Sequence, residues 1–217
     1  MNLNTNFDYT DKKIIITTVF CVSFIIANVI TVKILNLGFW GLDVPAGVLI
    51  YPLVYILTNV ITEVYGEKAA HKTIVLGLLT NLLFVVVTTI AMIIPGPGYY
   101  TGQSSIEYVF TQTPRILLAS YISYVIGNLV NARLTSIVNR GTNSKFTQIK
   151  NIGAIAFGEL LDNIIFIGLV FIGQVPVIEI GIMILVHFTI MLIWNVLAQP
   201  FTNRTVKWAS KDDTIST

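Results

Sequence analysis

Glu159 and Asp162 stand three residues apart inside an apolar stretch, 152–172, with Asn163 directly after them. Positions three and four apart share a helix face, so both carboxylates and the carboxamide point the same way, with Phe166 extending that face. About 20 residues rising 1.5 Å each cover a hydrocarbon core of roughly 30 Å. A carboxylate at that depth costs on the order of 2.5–3.5 kcal/mol on insertion scales, and its default use is a substrate or ion site facing the interior of a bundle. Two other apolar stretches carry polar stripes at helical spacing. One holds Tyr55, Asn59, Thr62 and Glu63, and the other Ser120, Tyr124, Asn128, Asn131 and Thr135. Three such stripes, each with aromatics nearby, point to a hydrated cavity about one small molecule wide.

Isolated polar residues have blander readings. Asn81 and Asn195 read as interhelical hydrogen-bonding groups, and His187 as a packed or hydrogen-bonded histidine rather than a proton relay. Lys33 can snorkel to the headgroups or face a buried carboxylate. Arg115 reads as interfacial or as a cap on an acidic partner, and Glu63 as a partner for local lysines. No phosphate-binding loop, His/Cys metal spacing, dinucleotide fingerprint or nucleophile elbow occurs. Neither an enzyme nor a metal or other cofactor is expected. The single cysteine, Cys21, can form no intrachain disulfide.

The elements that must position these residues are membrane helices. Of 217 residues 54% are hydrophobic and 11% charged, with mean hydropathy +0.78, against roughly 25% charged in soluble domains. Net charge is only +2 and the basic residues do not cluster, so nucleic acid is not an expected partner. Six apolar runs, at about 14–37, 44–64, 73–94, 115–138, 152–172 and 175–197, read as helices because a segment in lipid must satisfy its own backbone. The fold class is therefore an all-α membrane protein with six transmembrane helices in one domain, 1–217. Pro52 falls inside the second run and predicts a kink. The segments 96–113 and 139–151 read as an outer cap and an inner linker.

Lysines and arginines set the orientation. One set of flanks holds Lys12, Lys13, Lys68, Lys72, Arg133, Arg140, Lys145, Lys150, Arg204, Lys207 and Lys211, and the other only Lys33 and Arg115. That asymmetry predicts N-in and C-in. Trp40, Tyr99, Tyr100 and Tyr108 then fall at the outer boundary and Trp208 at the inner one. Three runs per half permit 3+3 inverted halves.

Several segments together resemble the vitamin-uptake/queuosine-precursor transporter family of bacterial six-helix membrane proteins. The resemblance runs from about Ser23 to Ile167. It is carried by Ala27-Asn28 with Lys33, by Tyr51-Pro52 with Thr58-Asn59-Val-Ile-Thr62-Glu63-Val64-Tyr65-Gly66, by Arg115-Ile-Leu-Leu-Ala119-Ser120, and by Asp162-Asn-Ile-Ile-Phe166. It implies a stand-alone secondary carrier in the bacterial cytoplasmic (inner) membrane. Such a carrier would import a 7-deazaguanine such as preQ0, preQ1 or queuine, with H+ as a candidate coupling ion and a homodimer as a candidate assembly. The alternatives are the substrate-binding membrane subunit of an ATP-driven vitamin importer, or a carrier for another purine-like or vitamin solute. Against the family's pattern, Asn59 stands in place of aspartate, Asn128 and Asn131 in place of glutamine and aspartate, and Glu159 in place of glutamine.

Such a ligand fits the residue types. A deazaguanine edge presents N1–H beside a 2-amino group, a donor pair that one carboxylate accepts. Asp162 or Glu159 is expected on that edge, with Asn59, Asn128 or Asn131 reading the carbonyl. Tyr55, Tyr124 or Phe166 is expected to stack on the ring, at roughly 1–3 kcal/mol per base by analogy with nucleobase stacking. Asn28, Glu63, Lys33 and Arg115 complete the candidate substrate-binding set.

Overall fold

The computed structural model describes residues 7–38, 42–140 and 144–211; for 128–129, 131–140 and 144–155 it describes the helix backbone alone. The chain is mostly helical. Helix α1 (Tyr9–Ile30) leads into a short antiparallel hairpin of β1 (Ile34–Asn36) and β2 (Asp43–Pro45) and a 3-10 turn (Ala46–Leu49). Helices α2 (Tyr51–Tyr65), α3 (Glu67–Ile93), α4 (Gln103–Phe110), α5 (Thr113–Arg140), α6 (Ser144–Phe171), α7 (Val177–Leu197) and α8 (Gln199–Ser210) follow.

Among the described residues, α1, α3 and α7 are long and apolar enough to cross a membrane. The exposed side of α3 is a row of Val75, Leu79, Leu82, Val86, Ile90 and Ile93, a surface suited to hydrocarbon. Two expectations about the second apolar run are corrected. It is not one helix from 44 to 64, because strand β2 and the 3-10 turn occupy its first third and α2 has only 15 residues. Pro52 does not kink it either. It sits in the first turn of α2, where the missing N–H has no intrahelical carbonyl to lose. The first run likewise ends early, at Ile30, and its tail becomes β1.

The β2 backbone and the turn after it are buried, from Val44 through Val48, and β2 packs on α7. Non-helical backbone is tolerated in membrane proteins where protein covers it. Gly47 makes that cover possible. A Cβ there would lie 3.0 Å from Tyr51 Cε2, 3.2 Å from the Ala27 carbonyl oxygen and against Thr31 Oγ1. Gly47→Ala is therefore expected to destabilise the protein by about 1–3 kcal/mol through overpacking. A melt in detergent that matches wild type would show the turn to be looser than this.

Of the linker expected at 139–151, residues 139–140 belong to α5 and 144–151 to α6, and 141–143 lie outside the described residues. Trp40 also lies outside them. The segment 96–113, expected as an outer cap, contains α4, packed on α3 and α5. Gly66 joins α2 to α3 directly at φ +85°, a left-handed value that glycine adopts without Cβ strain. Helix α8 docks on α1 and α2: Lys12 Nζ donates to the Lys211 carbonyl at 2.7 Å and lies 5.6 Å from the Trp208 ring centroid.

Packing divides into two cores. One joins Ile16 and Phe20 of α1 to Leu57, Val60 and Ile61 of α2, Ala69 and Ala70 of α3 and Ala209 of α8. The other joins Ile116 and Ala119 of α5 to Phe166, Ile167, Val170 and Phe171 of α6 and Ile180 and Met183 of α7. The seam between them is the place for a site.

Candidate functional site

A cavity of about 450 Å³ opens along that seam, within the usual range for small-molecule sites. Helix α6 supplies Glu159, Asp162, Asn163 and Phe166, one turn apart on one face, with Gly158 beneath them. Opposite stands α2, with Tyr51, Tyr55, Thr58 and Asn59. Helix α5 adds Ser120, Ser123, Tyr124 and Gly127, α7 adds His187 and Met191, and α1 adds Phe24. The pairing of α5 with α6 is the most extensive helix contact in the molecule. At Gly127 it is close enough that an added Cβ would sit 3.5 Å from Asp162 Cβ.

The two carboxylates are held differently. Asn195 of α7 donates its Nδ2–H to Glu159, 2.9 Å from Oε1 and 3.2 Å from Oε2. Asp162 lines the cavity with Ser123 of α5, whose Oγ donates to the Ser120 carbonyl at 3.3 Å. Next to them His187 Nδ1 lies 2.5 Å from Asn163 Oδ1. An amide oxygen only accepts, so Nδ1 carries the proton and Nε2 is the acceptor of the neutral ring. The Tyr51 ring meets His187 and Phe166 edge-on, at centroid distances of 5.9 and 6.4 Å. It ties the α2 wall to α6 and α7.

Of the residues expected from sequence, the fold brings Asp162, Glu159, Asn59, Tyr55, Tyr124 and Phe166 together around this cavity. Asn28 sits one layer behind, where its Oδ1 accepts from Ser120 Oγ at 3.2 Å and its Nδ2 is buried without a partner among the described residues. Lys33 and Glu63 are exposed and away from the cavity. Arg115 is also away from it and, among the described residues, caps no acid. Its Nε donates to the Leu169 carbonyl at 2.7 Å and its Nη2 to the Ile172 carbonyl at 2.5 Å. The side chains of Asn128 and Asn131 lie outside the described residues.

Sequence reasoning left Tyr51 and Ser123 out of the candidate site, whereas Asn163 falls on the acidic face as expected and His187 is buried and hydrogen-bonded as expected. Tyr51 stands four residues before Tyr55 and Ser123 three after Ser120, so extending each stripe by one turn finds them. No signal finds the His187–Asn163 pair or the Asn195–Glu159 pair, because each depends on which faces of α6 and α7 meet. The expectation that Asn195 hydrogen-bonds between helices is met, and its partner is an acid. Asn81 behaves otherwise: it is buried, and its Nδ2 has no partner among the described residues.

The described residues thus form an apolar helical bundle around an acid-lined cavity. The profile of the family described as "Putative vitamin uptake transporter" matches residues 45–205, and the chain belongs to that family. It is similar to a protein of Bacillus subtilis (strain 168) named "Probable queuosine precursor transporter". The two are 26% identical over 151 residues, covering 69% of this chain and 65% of that one. A protein of the same name from Haemophilus influenzae (strain ATCC 51907 / DSM 11121 / KW20 / Rd) is 23% identical over 125 residues, covering 58% of this chain and 51% of that one. The chain thus spans less than two thirds of the length of each relative. No solved structure matches it.

Proposed function

We propose that this chain is a secondary carrier that brings a 7-deazaguanine across the bacterial cytoplasmic membrane, with six crossings and both ends inside. The observation that carries this reading is the placing of Asp162 opposite Asn59 in a cavity walled by Tyr51, Tyr55, Tyr124 and Phe166. A flat bicyclic lactam suits that set. Asp162 accepts N1–H and the 2-amino group together, the Asn59 amide donates to the carbonyl, and the tyrosine rings cover the faces. Asp162, rather than Glu159, takes the donor edge because both Glu159 oxygens already face the Asn195 amide. Exclusion of water strengthens each of these bonds. The printed names of the two relatives agree with a solute of this class.

The test is a thermal-shift screen of the purified protein against preQ0, preQ1, queuine, guanine and several vitamins. A ligand at 100 times its Kd stabilises by about 2.7 kcal/mol, so at least one deazaguanine is expected to raise the melting temperature. Uptake by cells producing this chain, with no ATP-driven module added, is expected to follow the same ligand order. A shift with a vitamin alone, or uptake only when an ATPase is supplied, would overturn the reading.

A further inference from the structure

The donor edge of a deazaguanine needs one carboxylate, and the cavity holds two. Glu159 is the one whose surroundings suit another task. Asn195 offers it a single amide N–H₂ group shared over both oxygens, while the amide's other half, Oδ1, is buried and has no donor among the described residues. A carboxylate cannot supply that donor; a carboxylic acid can. With a proton on one oxygen, Glu159 donates O–H to Asn195 Oδ1 and accepts Nδ2–H on the other oxygen. With the amide turned to bring Oδ1 to the O–H, this closes an eight-membered acid–amide ring that gives Oδ1 the donor it lacks. The Asn195 amide therefore complements the acid better than the anion.

Charge points the same way. Around Glu159 the cavity presents Asp162 on its own helix, Tyr51 and Tyr55 from α2, Tyr124 from α5 and His187 from α7. The His187 ring is already tied to Asn163. Among the described residues no lysine or arginine lines the cavity, so two ionised carboxylates there lack a counter-cation, and a buried charge of that kind is costly. One bound proton removes the excess without disturbing the negative charge that Asp162 needs for its ligand.

The geometry points to Glu159 with Asn195 as a proton-binding site separate from the ligand carboxylate, through which solute entry is coupled to proton entry. Glu159 gains H⁺ from the outer solution and loses it to the inner one, and the solute is chemically unchanged. The inference rests on the transport reading above for its solute, and on the Glu159–Asn195 geometry for its proton.

The test uses purified wild-type protein, Glu159→Gln and Asn195→Leu reconstituted in liposomes. Glutamine keeps a neutral amide–amide ring and imitates the protonated acid. Glu159→Gln is expected to lose the extra accumulation that an acid-outside gradient gives the wild type, each protein being scored by its ratio of accumulation with the gradient to accumulation without it. Infrared titration without solute is expected to show a protonated-carboxyl carbonyl band that vanishes in Glu159→Gln and moves in Asn195→Leu. The inference is overturned if Glu159→Gln keeps the wild-type ratio, or if the band survives that substitution. It is also overturned if Glu159→Gln selectively loses binding of the aminomethyl compound preQ1 while keeping that of the nitrile preQ0, which would make Glu159 a ligand contact. Should wild type exchange no deazaguanine at all, the transport reading falls, and the infrared titration still decides whether this pair holds a proton.

Discussion

Asp162→Asn is expected to abolish deazaguanine uptake while leaving the protein folded. The substitution is nearly isosteric and exchanges a doubly accepting carboxylate for an amide, one half of which is a donor. Against an N1–H and 2-amino pair, that amide keeps one acceptor and sets N–H against N–H. A hydrogen bond to a charged group contributes about 1.5–3 kcal/mol. Losing one and opposing the other is therefore expected to weaken binding by about 100-fold or more, at a decade per 1.4 kcal/mol. Stability is expected to hold or rise, because a charge inside a membrane protein is costly and the substitution is nearly isosteric. The measurement is uptake alongside a melt and a size-exclusion profile in detergent. Folded protein that transports normally would remove Asp162 from the ligand's donor edge.

The part of the site legible in the sequence is the part that helical periodicity encodes. Glu159, Asp162 and Phe166 fall on one face at three- and four-residue spacing, and so do Tyr55 with Asn59 and Ser120 with Tyr124. Any helix through those segments aligns them. The cost of burying two acids in an apolar stretch then says which way the α6 face must look. What periodicity cannot encode is the pairing of faces between helices. His187 and Asn195 are lone polar residues eight positions apart on α7, and only the docking of α7 on α6 gives them Asn163 and Glu159 as partners. Lys33 and Glu63 mislead for the complementary reason: α1 stops at Ile30, short of Lys33, and Glu63 lies on an exposed face of the last turn of α2.

The fold was legible to a similar depth. Apolar runs located α3, α5, α6 and α7 to within several residues, and the spread of lysines and arginines suggested an orientation. Hydropathy failed where the backbone leaves the helix while its side chains stay apolar. Ile34, Leu35, Val44 and Val48 would suit a membrane helix, yet they form the hairpin packed on α7 and the turn packed on α1. The clues lay in Pro45, Gly47 and Pro52, which punctuate that stretch. Helix α8 was missed because its sequence is amphipathic, and an amphipathic helix of 12 residues contributes little to a search for apolar length.

Arg115→Ala is expected to lower stability by about 3 kcal/mol, from the loss of two hydrogen bonds made by a charged donor, each in the range of about 1.5–3 kcal/mol and discounted for partial exposure. Arg115 stands at the start of α5 and reaches the C-terminal end of α6, where Leu169 in its last turn and Ile172 just past it present carbonyls that no later N–H of the helix can satisfy. A cation there also complements the negative end of the helix dipole. The contact fixes more than a helix end. Ile116 and Ala119, one turn on from Arg115, pack with Phe166, Ile167 and Val170 in the same core, and the next turns of α5 and α6 carry Ser120, Ser123 and Tyr124 toward Glu159 and Asp162. Arg115 thus anchors the register of the two helices that form most of the cavity. Arg115→Lys is expected to recover about half of the loss, because an ammonium can reach one carbonyl but cannot fork across two. Denaturation in detergent measures both variants, and ligand affinity measured on protein that remains folded is expected to change little, since Arg115 does not line the cavity. An alanine variant as stable as wild type would mean that water serves those carbonyls equally well, and that core packing alone sets the register of α5 on α6.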